Sequence, residues 1–472
     1  MFLVPCNFFK GSGLALIHRS IGVTRFSTKS IAFSKNIETK LEKSVKAVGL
    51  EDVSIKEEVT FIGNQIKSMI KINGPISVYD FIKLSSTCPR QGYYTQSDIF
   101  GSKGDFVTSP EISQVFGELM ALWYVSQWHS AGCPEKVRVI ELGPGKGTLM
   151  SDMLRVWSKF PKLNSAVKQI DFLEASEPLA RIQASKLAPD VSLGYLSPLA
   201  DKSPSSEDCL LIENAAGITS EATGRSFRWY SYPDNLFHRE NLVENTWTII
   251  IAHEFFDALP IYKFKKTYQG WHEIMVDLDT SENSPLHFAF YESPVKTRAT
   301  SLLQPYIDRS SYQQLLELEL APELIRIGNQ VGQLLELGGA ALIIDYGEDH
   351  PEGNTLRGIQ KHQFCHPLSM PGRTDLSSNV NFSLIRESLG IPSLATHFTT
   401  QADFLLEMGI QERIQMLMKS YVSAHRGDEP KILAFKSVLE SMYDRLTNPN
   451  QMGKLYKFMA LTNGSAPVPG FK

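Results

Sequence analysis

The chain has 472 residues, 42% hydrophobic and 21% charged, with a formal net charge of −4 at pH 7. This is the composition of a folded protein with room for one elaborated domain or two ordinary ones, and no apolar run reaches the roughly 18 residues of a membrane span. Beyond residue 37 there are 42 basic against 51 acidic residues, which excludes the basic footprint of broad nucleic-acid binding.

The first 37 residues carry Lys10, Arg19, Arg25, Lys29 and Lys35 but no Asp or Glu, among Ser and apolar residues. That is the make-up of a mitochondrial transit peptide; a disordered basic tail is the alternative. Five scattered cysteines without a Cys-x-x-Cys fit a reducing compartment such as the matrix. Residues 38–73 read as a charged linker and first helix. Gly74-Pro75 opens the body, expected to span 74–465. A helix follows through Ile82, then a Gly/Ser/Tyr-rich stretch to Ser109. Pro110-Glu111 opens an amphipathic helix to Trp128, with Thr108 or Ser109 as its cap.

Val137–Leu142 reads as a buried strand, followed by a glycine-rich turn and a helix over Thr148–Trp157. Ile170–Glu174 is a second strand, Glu177–Leu187 its helix, and Val191–Tyr195 a third strand. Thr246–Ala252 and Ala340–Asp345 are further apolar strands of the kind covered on both faces. Alternating strands and helices indicate a Rossmann-like doubly wound α/β sheet. Leu196–Asn245 reads as a polar insertion and Phe382–Leu461 as a mostly helical extension.

The turn after the first strand is Glu141-Leu-Gly143-Pro-Gly145-Lys-Gly147-Thr. Its glycines let the backbone bend sharply and approach a ligand. Lys146 is followed by Gly147, so this is no Walker A loop, and G-x-G-x-G is not the dinucleotide spacing. Glu141 favours a ligand with a cationic amino-acid end, such as S-adenosylmethionine (SAM). Glu174, ending the second strand, is placed to accept from ribose hydroxyls. Glu177 competes for that role, and a purely structural turn is the alternative.

Several blocks resemble the MidA family of mitochondrial protein arginine methyltransferases that act in complex I assembly. They are Gly92-Tyr93-Tyr94, Gly101, Gly104-Asp105-Phe106 through Ser109-Pro110-Glu111 to Glu118, the Glu141–Gly147 turn, His253-Glu254-Phe-Phe-Asp257-Ala-Leu-Pro260, Asp345-Tyr346-Gly347 and Pro371-Gly372-Arg-Thr-Asp375-Leu376. The resemblance covers about 76–461. It implies a SAM-dependent methyltransferase fold with an N-terminal lid segment and a C-terminal helical extension. It also implies symmetric dimethylation of an arginine in a core hydrophilic complex I subunit, in the matrix, with no metal. The chain departs from the family at Asn381, where an acid is usual, and in the length of 196–224.

An arginine substrate is a permanent cation, so carboxylates facing the SAM turn are expected to orient it. Glu254 and Asp257, just past a strand end, are the expected catalytic pair; a helix cap and a structural ion pair are their alternatives. Asp105, Glu111, Tyr94 and Asp345 are the expected substrate-binding residues. Glu111 could instead serve the helix dipole, and the tyrosines could be core. His-Glu-x-x-Asp is a poor zinc motif, His362, Cys365 and His366 lack a carboxylate partner for metal binding, and no G-x-S-x-G elbow is present. A small-molecule methyltransferase and a non-catalytic assembly scaffold remain open as other readings.

Overall fold

The computed structural model describes residues 57–88, 91–95, 108–191, 216–238, 245–282, 284–463 and 467–471. The expected transit peptide over 1–37, most of the expected linker and Asp105 lie outside them. The central sheet holds seven principal strands: β1 (Val137–Leu142), β2 (Val167–Leu173), β3 (Ser226–Tyr230), β4 (Trp247–His253), β5 (Gly339–Glu348), β6 (Leu394–Thr400) and β7 (Tyr456–Asn463). Their spatial order is 3-2-1-4-5-7-6. β7 runs antiparallel to both neighbours, and the pairings among β1 to β5 are parallel. A strand at Ala216–Thr219 extends the β3 edge.

β1 and β4 are buried along their whole length, as a sheet covered on both faces requires. Alternate residues feed two separate cores. Val139, Ile249, Leu342 and Phe458 pack with helices 114–130, 148–157 and 177–187. Ile140, Ile250, Ile343 and Met459 pack with helices 61–73, 78–87, 322–336 and 382–388. A five-stranded antiparallel sheet, built mainly from residues 262–320, joins the second core. A three-stranded sheet over 357–377 carries Asp375.

Several expectations are corrected. The strand expected over 191–195 lies outside the described residues except for Val191, which is in a bend. The expected insertion over 196–245 contains two strands, Ala216–Thr219 and β3, and in β3 Phe227 and Trp229 are buried while Arg228 is only partly so. The helix expected over 110–128 breaks at Ser113, whose backbone is extended (φ −160°, ψ 137°) and whose hydroxyl caps the second piece, Gln114–Ser130. Thr108 precedes the first piece without a side-chain cap bond. The second piece is buried nearly all round, with Glu118 held by Arg155 and Arg413. The 382–461 segment supplies β6 and most of β7 beside its helices. Asn381 caps helix 382–388 by accepting from the Leu384 amide at 3.1 Å, a role an acid fills equally well.

Helix 322–336 rests on the end of helix 382–388 through glycines. A Cβ on Gly332 would stand 2.2 Å from the Leu389 carbonyl oxygen, and one on Gly328 1.9 Å from Ser388 Oγ. Backbone gives way less readily than a side chain, so Gly332→Ala is expected to cost about 1–3 kcal/mol. Urea denaturation measures this, and an unchanged midpoint would contradict the close approach.

Candidate functional site

The turn after β1 packs three glycines with positive φ: Gly143 (67°), Gly145 (53°) and Gly147 (69°). Only a residue without Cβ takes this path cheaply. Glu141 is 3% exposed, and its Oε2 has no hydrogen-bond partner. Burial, reinforced by Glu174, pushes its pKa up to about 8. Burial likewise pushes Glu174 up to about 7, against an amide bond from Ser176 (2.8 Å) and one from Gln183 (3.0 Å). Gln183 joins the pieces. Its nitrogen also donates to the Gly145 carbonyl at 2.6 Å, and its oxygen accepts from Trp229 Nε1 at 2.7 Å. Sequence reasoning missed Gln183; the available signal was a polar residue on the buried face of helix 177–187.

The loop after β4 lies against this turn, since a Cβ on Gly143 would meet Phe255 at 3.0 Å. Glu254 begins the loop with a left-handed backbone, φ 51°. Asp345, fully buried at the end of β5, accepts from three successive loop amides, Phe255 (3.2 Å), Phe256 (3.0 Å) and Asp257 (3.4 Å). Its other oxygen accepts from the Tyr346 amide at 3.0 Å. Asp345 therefore reaches the site only through the loop it holds. Burial, then Asp257 and Glu254, raises its pKa well above the usual carboxylate range.

Glu254 accepts from Tyr456 OH at 2.9 Å. Burial, then the charge of Asp257, pushes its pKa up to about 8. Asp257 accepts from Tyr346 OH, while its Oδ1 is buried without a partner. Burial raises the Asp257 pKa, opposed by the Tyr346 bond and by Arg357. His253 is held neutral by burial, its pKa lowered to about 3.

The lid side contributes two expected residues. Tyr94 donates its hydroxyl to Asp375, edge-on to buried Tyr93. Glu111 lies 3.9 Å from Lys146 of the SAM turn, and its Oε2 is buried without a hydrogen bond. Asp375, Tyr346 and Tyr456 belong to the same cluster; the first two lay in quoted blocks without a role, and Tyr456 went unnoticed. His362 sits in a tight turn, and His366 accepts from the Leu368 amide and packs on Phe290. Among the described residues no three His, Cys, Asp or Glu side chains could hold a metal ion.

The residues fit SAM: Glu141 has a buried oxygen that would accept from an ammonium, Glu174 has a carboxylate that would accept from ribose hydroxyls, and the glycines leave backbone room. An acid whose pKa is raised on folding favours the folded state below its unfolded pKa, and loses that contribution as pH climbs through the raised value. The ligand-free protein is therefore expected to lose melting temperature between about pH 5 and pH 8, and Glu141→Gln to flatten the loss. SAM should bind more tightly as pH rises through this window and release protons on binding, which calorimetry in buffers of different ionisation enthalpy detects. An affinity independent of pH, with no proton release, would remove Glu141 from the ammonium site.

A family model described as "Putative S-adenosyl-L-methionine-dependent methyltransferase" matches residues 119–398. The mitochondrial protein arginine methyltransferase NDUFAF7 of Danio rerio is 36% identical over 399 residues, 84% of this chain and 86% of the relative. The Homo sapiens protein of the same name is 35% identical over 397 residues, 83% and 81%. A Burkholderia thailandensis protein solved with bound S-adenosyl-homocysteine shares the fold, with a TM-score of 0.62 at 21% identity over 87% of this chain and 93% of that one. With SAM as its co-substrate, the chain belongs to the MidA family of S-adenosyl-L-methionine-dependent methyltransferases.

Proposed function

We propose that this chain is a protein arginine methyltransferase of the mitochondrial matrix that symmetrically dimethylates an arginine in a core hydrophilic subunit of complex I and so promotes assembly. The observation that carries the arginine reading is the pair Glu254 and Asp257, carboxylates packed beside the SAM turn with an unpartnered buried oxygen on Asp257. The relatives' names support an arginine substrate and a mitochondrial address. The acid-free leader over 1–37 supports the same address. The symmetric pattern and the complex I subunit rest on the family resemblance.

A guanidinium is a planar cation with five donors, and two carboxylates can grip it with parallel hydrogen bonds. Burial raises both acids, and on Glu254 the charge of Asp257 adds to it; a cation between them offsets that charge. SAM supplies a sulfonium-bound methyl group. As the N–CH₃ bond forms and the S–CH₃ bond breaks, one N–H proton must leave the guanidinium. Glu254, with a pKa near 8, is matched to take that proton near neutrality and pass it to water. Asp257 keeps the product cation in place. Glu141 and Glu174 hold the far ends of SAM, and Tyr94 and Glu111 close the substrate side. Holding both partners at attack distance is the larger part of the work.

Purified protein incubated with methyl-labelled SAM and a matrix extract is expected to label one protein band, and its digest to yield symmetric dimethylarginine. Label confined to small molecules would overturn the protein substrate. Glu254→Gln and Asp257→Asn are each expected to cut transfer about a hundredfold or more, with SAM affinity within about threefold of wild type. Undiminished transfer in both variants would remove the pair from the site.

A further inference from the structure

Tyr346 of β5 and Tyr456 of β7 stand directly opposite each other in the antiparallel ladder. Their rings meet edge to face, with centroids 5.5 Å apart. Each sends its hydroxyl to a different acid of the loop after β4, Tyr456 to Glu254 and Tyr346 to Asp257. Ser377 Oγ lies 2.5 Å from Tyr346 OH. One face of the Tyr346 ring is covered by Arg357, 4.6 Å from the centroid and fixed by Asn379 at 2.8 Å. These rings therefore present their hydroxyl ends, not a free π-face, to the acids.

We propose that Tyr456 and Tyr346 are positioning residues that divide the acid pair by role: Tyr456 turns Glu254 to accept the proton, and Tyr346 turns Asp257 to hold the guanidinium. This rests on the arginine reading above. Asp345 fixes only the backbone of residues 255–257. A carboxylate on a fixed backbone still has side-chain rotations to lose. A phenol anchored in a sheet strand takes one oxygen and leaves the other for substrate; on Asp257 that second oxygen is the buried, unpartnered Oδ1. The two acids also sit in different fields. Arg357 bears on Asp257 and favours its ionised form. Glu254 is faced by Asp257 in its own loop, His253 of β4, Asp345 of β5, Tyr456 of β7, Asp375 of the 375–377 strand and Glu111 of the 109–112 helix. The acids among these oppose its ionisation, and the Tyr456 bond favours it.

The test is the pH dependence of kcat and kcat/KM for the full chain, with the protein of the labelled band as acceptor. Tyr456→Phe is expected to move the acid limb of the profile upward by about one pH unit. The rate at pH 7 should then fall about tenfold and the alkaline plateau much less. Tyr346→Phe is expected to leave the limb where it is and raise KM for the acceptor about tenfold, with a smaller change in kcat. SAM affinity close to wild type in both variants verifies that they fold. Equal losses in kcat and KM with an unmoved limb in both variants would reduce the tyrosines to packing and overturn the assignment. Glu254→Gln separates the two levels: loss of the acid limb upholds the arginine chemistry on which the phenols act. A limb that survives Glu254→Gln overturns that chemistry, and the positioning roles with it.

Discussion

The site hangs on one carboxylate. Asp345 lies near the C-terminal end of β5, and three amides of the loop after β4 converge on it. That contact ties the C-terminal ends of two neighbouring parallel strands together. It holds Glu254 in a left-handed conformation that a side chain resists. It also seats Phe255 on Gly143, so the loop with the acid pair and the turn that receives SAM share one wall. Asp345 is fully buried, and both the loop and the turn are positioned from it.

The same arrangement concentrates negative charge where water is scarce. Glu141, Glu174 and Glu254 all have pKa values pushed up to between about 7 and 8, burial being the first cause in each case. The fold does little to neutralise them. Opposite Asp345 in the ladder stands Lys457, but its ammonium bonds the Gly347 carbonyl and Glu348 instead. Arg357 is held over Tyr346 and bears on that phenol and on Asp257. Carboxylates kept short of cations are a binding surface for cations. In the function proposed above, a sulfonium amino acid on one side of the shared wall and a guanidinium on the other supply the missing charge.

Much of this was legible in sequence because it is local. A mainly apolar run gave β4, alternating apolar residues before a glycine turn gave β1, and that turn with Glu141 pointed to SAM. Glu254 and Asp257 follow the end of β4 and Asp345 lies near the end of β5, where ligand loops of such sheets sit. What escaped depends on long-range pairing. β3 reads Ser-Phe-Arg-Trp-Tyr, too short and polar to stand out behind a long insertion. β6 is an edge strand, mostly half-buried, so Leu-Ala-Thr-His-Phe-Thr-Thr shows little apolar signal. β7 lies among helices and carries a lysine whose charge is bonded inside the protein. Gln183 looked like an ordinary helix residue, and Tyr456 lay in a segment read as mostly helical, until the fold brought partners to them.

β7 is also where the two ends of the chain meet the chemistry. Tyr456 reaches Glu254 across 202 positions, and Tyr94 reaches Asp375 across 281. β7, inserted between β5 and β6, runs antiparallel to both, so its first residue, not its last, lies at the ligand end. This is why a tyrosine at the start of β7 stands beside one at the end of β5, in register and on the same face. A parallel strand in that slot would present its final residue there. The reversal of one strand thus lets the last sheet element of the chain finish the acid pair begun by β4 and β5.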